Sequence, residues 1–511
     1  MAAPLSPAPL TSEEVHRAKL ARAKLGSVGP LPSNVDWIRS LPPKARAAYD
    51  GAVRRKPSRT LSGVAVVAVM TAPARCPHGR CTYCPGGVEN SSPQSYTGEE
   101  PSALRGAQFR WDAEAIARHR IETLEAIGHP TSKVEVIVMG GTFPARPRAY
   151  QEEVLRGIYD GLNGGRSPTL GAAIARNETT AHRVVGLTVE TRPDWCDERV
   201  LPFLLDAGVT RVELGVECLT DPVLHAVRRA HAASDVERAT GAARGRGLKV
   251  GYHLMLGLPG MDPARDLADF RRLWEDPGLR PDFLKIYPTL VLPGTPLYDD
   301  WKAGRYQPYD TATAVEVLSR MKGMLPPWVR IHRVQRDIPS RLIAAGVRAS
   351  NLRQLALERL AADGRHCPCL RCREAGRRAT PSPRDLTLKR TEYAAAGGRE
   401  VFLSWEDPST DTVAGFLRLR VPRPGVDAGP EEPIVRELKV VGREVRVGDA
   451  AGRASEYQHR GLGSSLLAEA KREAAGAGFA GVYVTSAVGT RPYYADRGFV
   501  RAGPYMRCKL A

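Results

Sequence analysis

The stretch Cys76-Pro77-His78-Gly79-Arg80-Cys81-Thr82-Tyr83-Cys84-Pro85-Gly86-Gly87 constrains this chain most. Three cysteines fall within nine residues, directly after the apolar run 64–70. A short apolar run bounded by turn residues predicts a buried strand, which places the thiols on the loop at its carboxyl end. Four thiolates would close a metal site, whereas three leave one position open. A 4Fe-4S cluster on three thiolates keeps one iron free for an outside ligand, and a zinc ion on three thiolates keeps its fourth position free. Spacing alone leaves both open.

From residue 64 the chain takes up a βα rhythm. Strands are predicted at 64–70, 134–139, 184–189, 211–216, 249–255 and 283–287, with helical patterns at 113–127, 150–162, 197–207 and 234–246. Strands alternating with helices give a parallel sheet covered by helices. Six units are too few to close an eight-fold barrel, so the expected fold is α/β, a partial, TIM-like (β/α)6 barrel with its chemistry at the carboxyl ends of the strands. Those ends run into Gly140-Gly141-Thr142, Glu190-Thr191-Arg192-Pro193-Asp194, Glu217, Gly257-Leu258-Pro259-Gly260 and Pro293-Gly294-Thr295. Any one of these could be a plain turn; repeated at one end of successive strands, they predict a single site.

A second cluster reads His366-Cys367-Pro368-Cys369-Leu370-Arg371-Cys372. Soft thiolates at this spacing suit structural zinc, with the fourth ligand expected from His366, His332 or a more distant group. Beyond residue 380 the pattern changes. Residues 400–406 and 413–421 alternate as antiparallel strands around Glu406-Asp407-Pro408, and 435–441 and 482–485 follow as further strands. Gln458-His459-Arg460-Gly461-Leu462-Gly463-Ser464 opens a helix over 464–475, and 491–497 is a short helix bearing Tyr493 and Tyr494. A glycine turn at a helix start offers amide donors and the positive dipole end to an anion such as a pyrophosphate.

The chain of 511 residues carries 74 Lys and Arg against 56 Asp and Glu, a net charge of +18 that suits a polyanionic partner such as RNA. Much of this charge precedes the first strand: His16, Arg17, Lys19, Arg22, Lys24, Lys44, Arg46, Arg54, Arg55, Lys56 and Arg59. Six of nine cysteines sit in the two clusters, a pattern of metal sites in a reducing compartment. No secretory pattern and no apolar run near 18 residues is present, so the expectation is a cytoplasmic protein with no membrane span.

Long ordered runs then point to one family. They include Arg59-Thr60-Leu61-Ser62-Gly63, the cysteine stretch, Pro93-Gln94-Ser95-Tyr96-Thr97-Gly98, Val138-Met139-Gly140-Gly141-Thr142-Phe143 and Leu284-Lys285-Ile286-Tyr287-Pro288-Thr289. They continue through Gln335-Arg336-Asp337-Ile338-Pro339, Asn351-Leu352-Arg353-Gln354, Val435-Arg436-Glu437-Leu438 and Gly503-Pro504-Tyr505-Met506. From about residue 50 the chain resembles the Elongator catalytic subunit family, in its prokaryotic form. That resemblance implies a radical S-adenosylmethionine domain joined to a GNAT-type acetyltransferase domain. Its implied boundaries are a basic tRNA-binding segment at 1–60, the radical domain at 61–340, a zinc-type linker at 341–390 and the acetyltransferase domain at 391–511.

The resemblance also implies an activity: acetyl-CoA supplies a carboxymethyl group to C5 of uridine 34 of tRNA, giving 5-carboxymethyluridine. Cys76, Cys81 and Cys84 would hold the 4Fe-4S cluster, although their C-x4-C-x2-C spacing is one residue longer than the C-x3-C-x2-C of most radical S-adenosylmethionine enzymes. Gly140, Gly141 and Thr142 would contact S-adenosylmethionine. Lys133, Glu437, Leu438, Lys439, Val440, Gln458, Gly461, Leu462, Gly463, Ser464 and Tyr494 would contact acetyl-CoA, with Lys133 and Tyr494 as catalytic candidates. An anticodon stem-loop is the expected partner, with Arg192, Lys285, Arg330, Arg333 and Arg336 as contact candidates, together with an electron donor. Monomer and homodimer both stay open. Competing readings are a protein lysine acetyltransferase and a non-catalytic protein that binds tRNA and acetyl-CoA.

Overall fold

The computed structural model describes residues 12–25, 37, 40, 60–423, 425, 427–452 and 456–510. Of the early basic segment, Ser12–Leu25 is a helix on which His16 and Arg17 are exposed and Lys19 is buried. Lys44, Arg46, Arg54, Arg55, Lys56 and Arg59 lie outside the described residues.

Seven parallel strands form the first sheet in sequential order: β1 Ala65–Met70, β2 Lys133–Met139, β3 Arg183–Thr191, β4 Arg211–Glu217, β5 Lys249–Leu256, β6 Phe283–Pro288 and β7 Arg330–Val334. The sequence reading expects six. The seventh escapes it because Arg-Ile-His-Arg-Val has three polar residues in five and no apolar run. Strand order without reversal, helices between strands and a seven-strand count give an open half-barrel.

Each strand alternates. One set of side chains packs under the helices, as Val134, Val136 and Val138 do on β2, Val212 and Leu214 on β4, and Val250 and Tyr252 on β5. The other set faces the concave side, and much of it is ionic: Lys133 and Glu135, Arg211 and Glu213, Lys249 and His253, then Lys285 and Arg330. A closed barrel fills this space with branched apolar side chains. Here the space is wired with charges, and the apolar core lies outside it.

The second sheet is mixed, in the order β13-β14-β12-β11-β10-β9-β8. Its strands are β8 Thr387–Ala395, β9 Gly398–Asp407, β10 Thr412–Val421, β11 Ile434–Val440, β12 Gly481–Val484, β13 Val500–Ala502 and β14 Tyr505–Lys509. The sequence reading lacks β8, β13 and β14, which carry little apolar alternation. The helix Leu462–Gly476 lays Leu466, Leu467, Ala470 and Ala474 on Val401, Leu403, Leu417 and Leu419. β11 and β12 run parallel and pair over Ile434↔Tyr483 and Val435↔Val484 alone, then part.

A buried ionic lattice joins the two sheets. Arg436 of β11 binds Asp282, just before β6, through both guanidinium nitrogens at 2.8 Å, and Glu400 of β9 at 2.7 Å. Arg244 stands 3.5 Å from Asp282 and 3.4 Å from Glu400. Arg420 joins Glu400 to Asp427, and Arg418 joins Asp282 to Glu437. Four arginines thus meet four carboxylates. Burial opposes the charge on Asp282, but Arg244 and Arg436 hold its carboxyl well below the usual range; the same contest leaves Glu400 low.

Removing one partner strands a buried charge, which costs about 3–5 kcal/mol. Arg436→Met is therefore expected to destabilise the chain by about that amount at pH 7 in urea unfolding. Because the folded-state carboxyl pKa values are depressed, this contribution is present above the ordinary carboxylate range and is lost as pH falls below it. The difference between wild type and Arg436→Met should therefore shrink toward acid.

Candidate active site

The cysteine loop leaves β1 at its carboxyl end, as expected. Cys81 and Cys84 are buried; Cys76 is partly exposed and lines a cavity of about 110 Å³ with Gly141, Thr142, Tyr96 and Glu190. Cys84 Sγ accepts the Ser95 N–H at 3.3 Å, His78 Nε2 lies 3.2 Å from Cys81 Sγ, and the Thr142 hydroxyl hydrogen-bonds Cys76. Gly140 and Gly141 have φ of 123° and 102°, the region that favours glycine. A Cβ on Gly140 would stand 2.2 Å from Thr71 Oγ1, so this turn can bring backbone to the cavity only as glycine. Gly140 itself backs the turn, whereas Gly141 and Thr142 face the cavity.

Deeper in this upper cavity an ion network crosses from strand to strand. Lys285 Nζ binds Glu213 and stands 3.4 Å from Glu190; His253 Nε2 is 2.9 Å from Glu213; the Tyr96 hydroxyl donates to Glu190 at 3.3 Å. Burial pushes the Glu213 carboxyl up, but Lys285 and His253 overcome it and hold the group well below the usual range. Glu190, Glu213 and His253 converge closely enough to suit a metal ion, yet the Lys285 ammonium already supplies a cation among them. At the cysteine side, Arg229, its side chain 9% exposed, pairs with Glu217 at 3.2 Å and points Nη1 toward Cys81 Sγ at 4.0 Å. The sequence reading notices Glu190 and Glu213 only as strand punctuation and misses Arg229 and His78. Period-two polarity in Val212-Glu213-Leu214-Gly215-Val216-Glu217 was the available signal.

A second pocket, of about 440 Å³, opens at the opposite, amino-terminal ends of β1, β2, β3 and β5, against β11 and the helix Leu462–Gly476. It gathers Lys133, Glu437, Leu438, Lys439, Val440, Gln458, Gly461, Gly463, Ser464 and Tyr494 from both sheets. Leu462 does not join them; it packs into the second sheet's core. Gly461, with φ of 83°, starts the helix with no side-chain cap, so its first amides remain open to the pocket. Lys133 Nζ donates to Val445 O and Gln458 Oε1, each at 2.8 Å. Gln458 is itself tied to Gly63 O at 3.0 Å and Val440 O at 3.1 Å, a brace between the two sheets. Burial brings Lys133 down to about 8 against the pull of Glu444, and pushes Glu444 up to about 8 against the pull of Lys133. Tyr494 packs edge-on against Tyr493 and Phe499, and burial pushes its hydroxyl well up.

The sulfurs of Cys367, Cys369 and Cys372 lie within 4.8 Å of one another. A tetrahedral zinc with 2.3 Å bonds sets its sulfurs about 4 Å apart. Cys76, Cys81 and Cys84 form no group that tight among the described residues. Neither predicted fourth ligand joins the second cluster: His366 turns to Asp411 at 3.6 Å, and His332 stacks on Phe283 at 4.5 Å. The buried Lys322 ammonium stands 3.8 Å from Cys372 Sγ instead. Among the arginines and lysine predicted to meet RNA, Arg192, Lys285, Arg333 and Arg336 line the upper cavity. Each is held by a partner: Arg192 by Asp194 at 2.5 Å, Lys285 by the network, Arg333 by Asp337 and Arg336 by Ser95 O, while Arg330 is held by Glu374 at 2.7 Å. Among the described residues no helix is long and apolar enough to cross a membrane.

A parallel half-barrel with three thiols on its first loop defines a radical S-adenosylmethionine protein. The Radical SAM superfamily signature matches residues 71–272 and the Radical_SAM C-terminal domain matches 281–362. A "tRNA uridine(34) acetyltransferase" of Methanocaldococcus jannaschii is 43% identical over 93% of this chain and 90% of its own length. "Elongator complex protein 3" of Homo sapiens is 41% identical over 96% and 92%. The solved archaeal Elp3 of Methanocaldococcus infernus superposes with a TM-score of 0.78 at 40% identity, covering 88% of this chain and all of that one. The chain belongs to the Elongator complex protein 3/tRNA uridine(34) acetyltransferase family.

The superfamily's cofactors are a 4Fe-4S cluster and S-adenosylmethionine, and the upper cavity fits them. Cys76 lines it with Cys81 and Cys84 buried behind on the same loop, a glycine turn brings backbone beside Cys76, and Arg229 keeps a buried Nε with no partner there. Lys285→Met would leave fully buried Glu213 without its main cation. A loss of about 3 kcal/mol is expected at pH 7 in chemical unfolding, largely recovered in Lys285→Met/Glu213→Gln, where the stranded charge is gone.

Proposed function

We propose that this chain modifies uridine 34 of tRNA, placing on C5 a carboxymethyl group drawn from acetyl-CoA. The observation that carries the reading is the pairing, in one chain, of a three-thiol loop at one mouth of the half-barrel with a cationic, glycine-turned pocket at the other. C5 of uracil is a poor nucleophile at neutral pH, and an acetyl methyl is not an electrophile, so polar chemistry serves neither. When bound, the cluster and S-adenosylmethionine supply a carbon radical able to take a hydrogen atom from an unactivated C–H.

The chain's own residues position and shield. Gly141 and Thr142 bring backbone and a hydroxyl to the S-adenosylmethionine side, where Arg229 meets a carboxylate. In the lower pocket, of GNAT type in this reading, the open amides after Gly461 receive the pyrophosphate of acetyl-CoA, and Lys133 adds a cation. Buried Tyr494 stays protonated at neutral pH and packs against the bound coenzyme A. Cys367, Cys369 and Cys372 hold a structural zinc ion. Arg333 and Arg336 at the rim of the upper cavity, with the basic amino-terminal segment, meet the anticodon loop, whose splayed bases stack on arginine and aromatic planes. An external electron donor completes the system.

Nucleoside analysis of tRNA incubated anaerobically with the protein, S-adenosylmethionine, reductant and acetyl-CoA is expected to give 5-carboxymethyluridine. Cys81→Ser should abolish it, and an unmodified wobble uridine with the intact cluster would refute the reading. A pH test is equally direct. Above about 8 Lys133 loses its charge and Glu444 gains one, and both changes oppose an anion. The dissociation constant of acetyl-CoA should therefore rise about tenfold between pH 7 and 9. Lys133→Met should weaken binding at pH 7 and leave a shallower profile by calorimetry.

A further inference from the structure

The two pockets open at opposite ends of the same strands. Lys133, the first residue of β2, faces the lower pocket, and Met139, its last, faces the upper cavity. A strand of seven residues spans about 20 Å. If acetyl-CoA is anchored below and its methyl must react above, something has to bridge that distance.

We propose that the concave face of β1 and β2 is the track on which the acyl-pantetheine arm lies, carrying the thioester from the lower pocket to the upper cavity. This rests on the reading that the lower pocket takes acetyl-CoA. The rest of the concave space is filled. Phe283 stacks on His332 and lies so close over Gly251 that a Cβ there would be 1.9 Å from its ring, and the Arg211 guanidinium covers its other approach at 4.9 Å. The β1–β2 side differs. Val66 is 41% exposed, and Ala68 and Ile137 are half-buried. They are contiguous: Val66 stands beside Glu135 in the sheet register, and Ala68 beside Ile137. Glu135 lines the lower pocket. Ala68 and Ile137 pack against a buried cluster of Met70, Ala103 and Met139, on which Tyr96 also packs, and Met139 and Tyr96 line the upper cavity. A contiguous strip of side chains thus runs from pocket to pocket, apolar from Val66 upward, exposed at its lower end and closed at its upper end by the Met70, Ala103 and Met139 side chains. The pantetheine arm, two amides on short alkyl links, is a narrow, extended and largely apolar chain of matching length. Its phosphate end is fixed by charge below, which leaves the arm this way out.

Thiol trapping tests the track. The full-length protein with its cluster assembled anaerobically, carrying Val66→Cys, is incubated with coenzyme A disulfide. The introduced thiolate attacks one sulfur, a new protein–CoA disulfide forms, the old S–S bond breaks and one CoA thiolate leaves, so the exchange is redox-neutral. Peptide mass spectrometry should find CoA at position 66 at least tenfold faster than at position 388 in Leu388→Cys, 37% exposed on the far sheet, with excess acetyl-CoA suppressing it. CoA that binds by calorimetry yet labels position 66 no faster than position 388 overturns the track. Absence of any CoA binding overturns the pocket reading and the track with it.

Val66→Trp gives an independent readout. It should keep reductive formation of 5′-deoxyadenosine, while transfer of deuterium from trideuteroacetyl-CoA into 5′-deoxyadenosine, at saturating acetyl-CoA, falls at least tenfold. Unchanged transfer, or loss of tRNA product with transfer intact, which would seat the uridine on this face, contradicts the proposal.

Discussion

Arg436 binds Asp282 of the half-barrel with both guanidinium nitrogens and Glu400 of the second sheet with the same group, and all three are fully buried. Charges taken out of water gain little net stability over apolar side chains of the same shape. What they impose is registry, because a bidentate pair tolerates small displacement only at the cost of a stranded charge. The lattice around Asp282 and Glu400 therefore fixes where β11 sits against the half-barrel. That position decides whether Lys439 meets Glu135, at 2.9 Å, and whether the glycine turn at Gly461 faces Lys133. The lower pocket is assembled from two sheets, and this lattice is what brings them together.

The same preference for charge over packing runs up the inside of the half-barrel. Apolar side chains go outward under the helices, which is where the core lies. Inside, Glu135, Arg211, Glu213 and Lys285 succeed one another from the amino to the carboxyl ends, each answered by an opposite charge. That interior is closely packed around Phe283 and His332 and ionic elsewhere. The strip of Val66, Ala68 and Ile137 is its apolar exception. In the proposed reading, chemistry at the upper mouth and anchoring at the lower divide one reaction between two ends of one sheet.

Much of this was legible in the residues. Six of seven barrel strands announce themselves as apolar runs, and the cysteine loop follows the first of them. Arg330–Val334 does not, because an edge strand beside a charged lumen needs few apolar residues. Long-range partners were beyond reach: nothing local to Asp282 says that Arg436, 154 positions later, will claim it. Local reasoning likewise named His366 and His332 for the second cysteine cluster, yet one is drawn to Asp411 and the other to Phe283. The cysteines themselves were found because ligand spacing is a local property, whereas Arg229, which reaches Cys81 from the loop after β4, is not.

The division between two mouths is measurable without turnover. Pulsed dipolar EPR on the anaerobic protein can report the distance between the reduced cluster and a nitroxide on the adenine of bound CoA. The two should lie at least about 20 Å apart, the length of β2. A distance near 10 Å would put the nucleotide beside the cluster and contradict it.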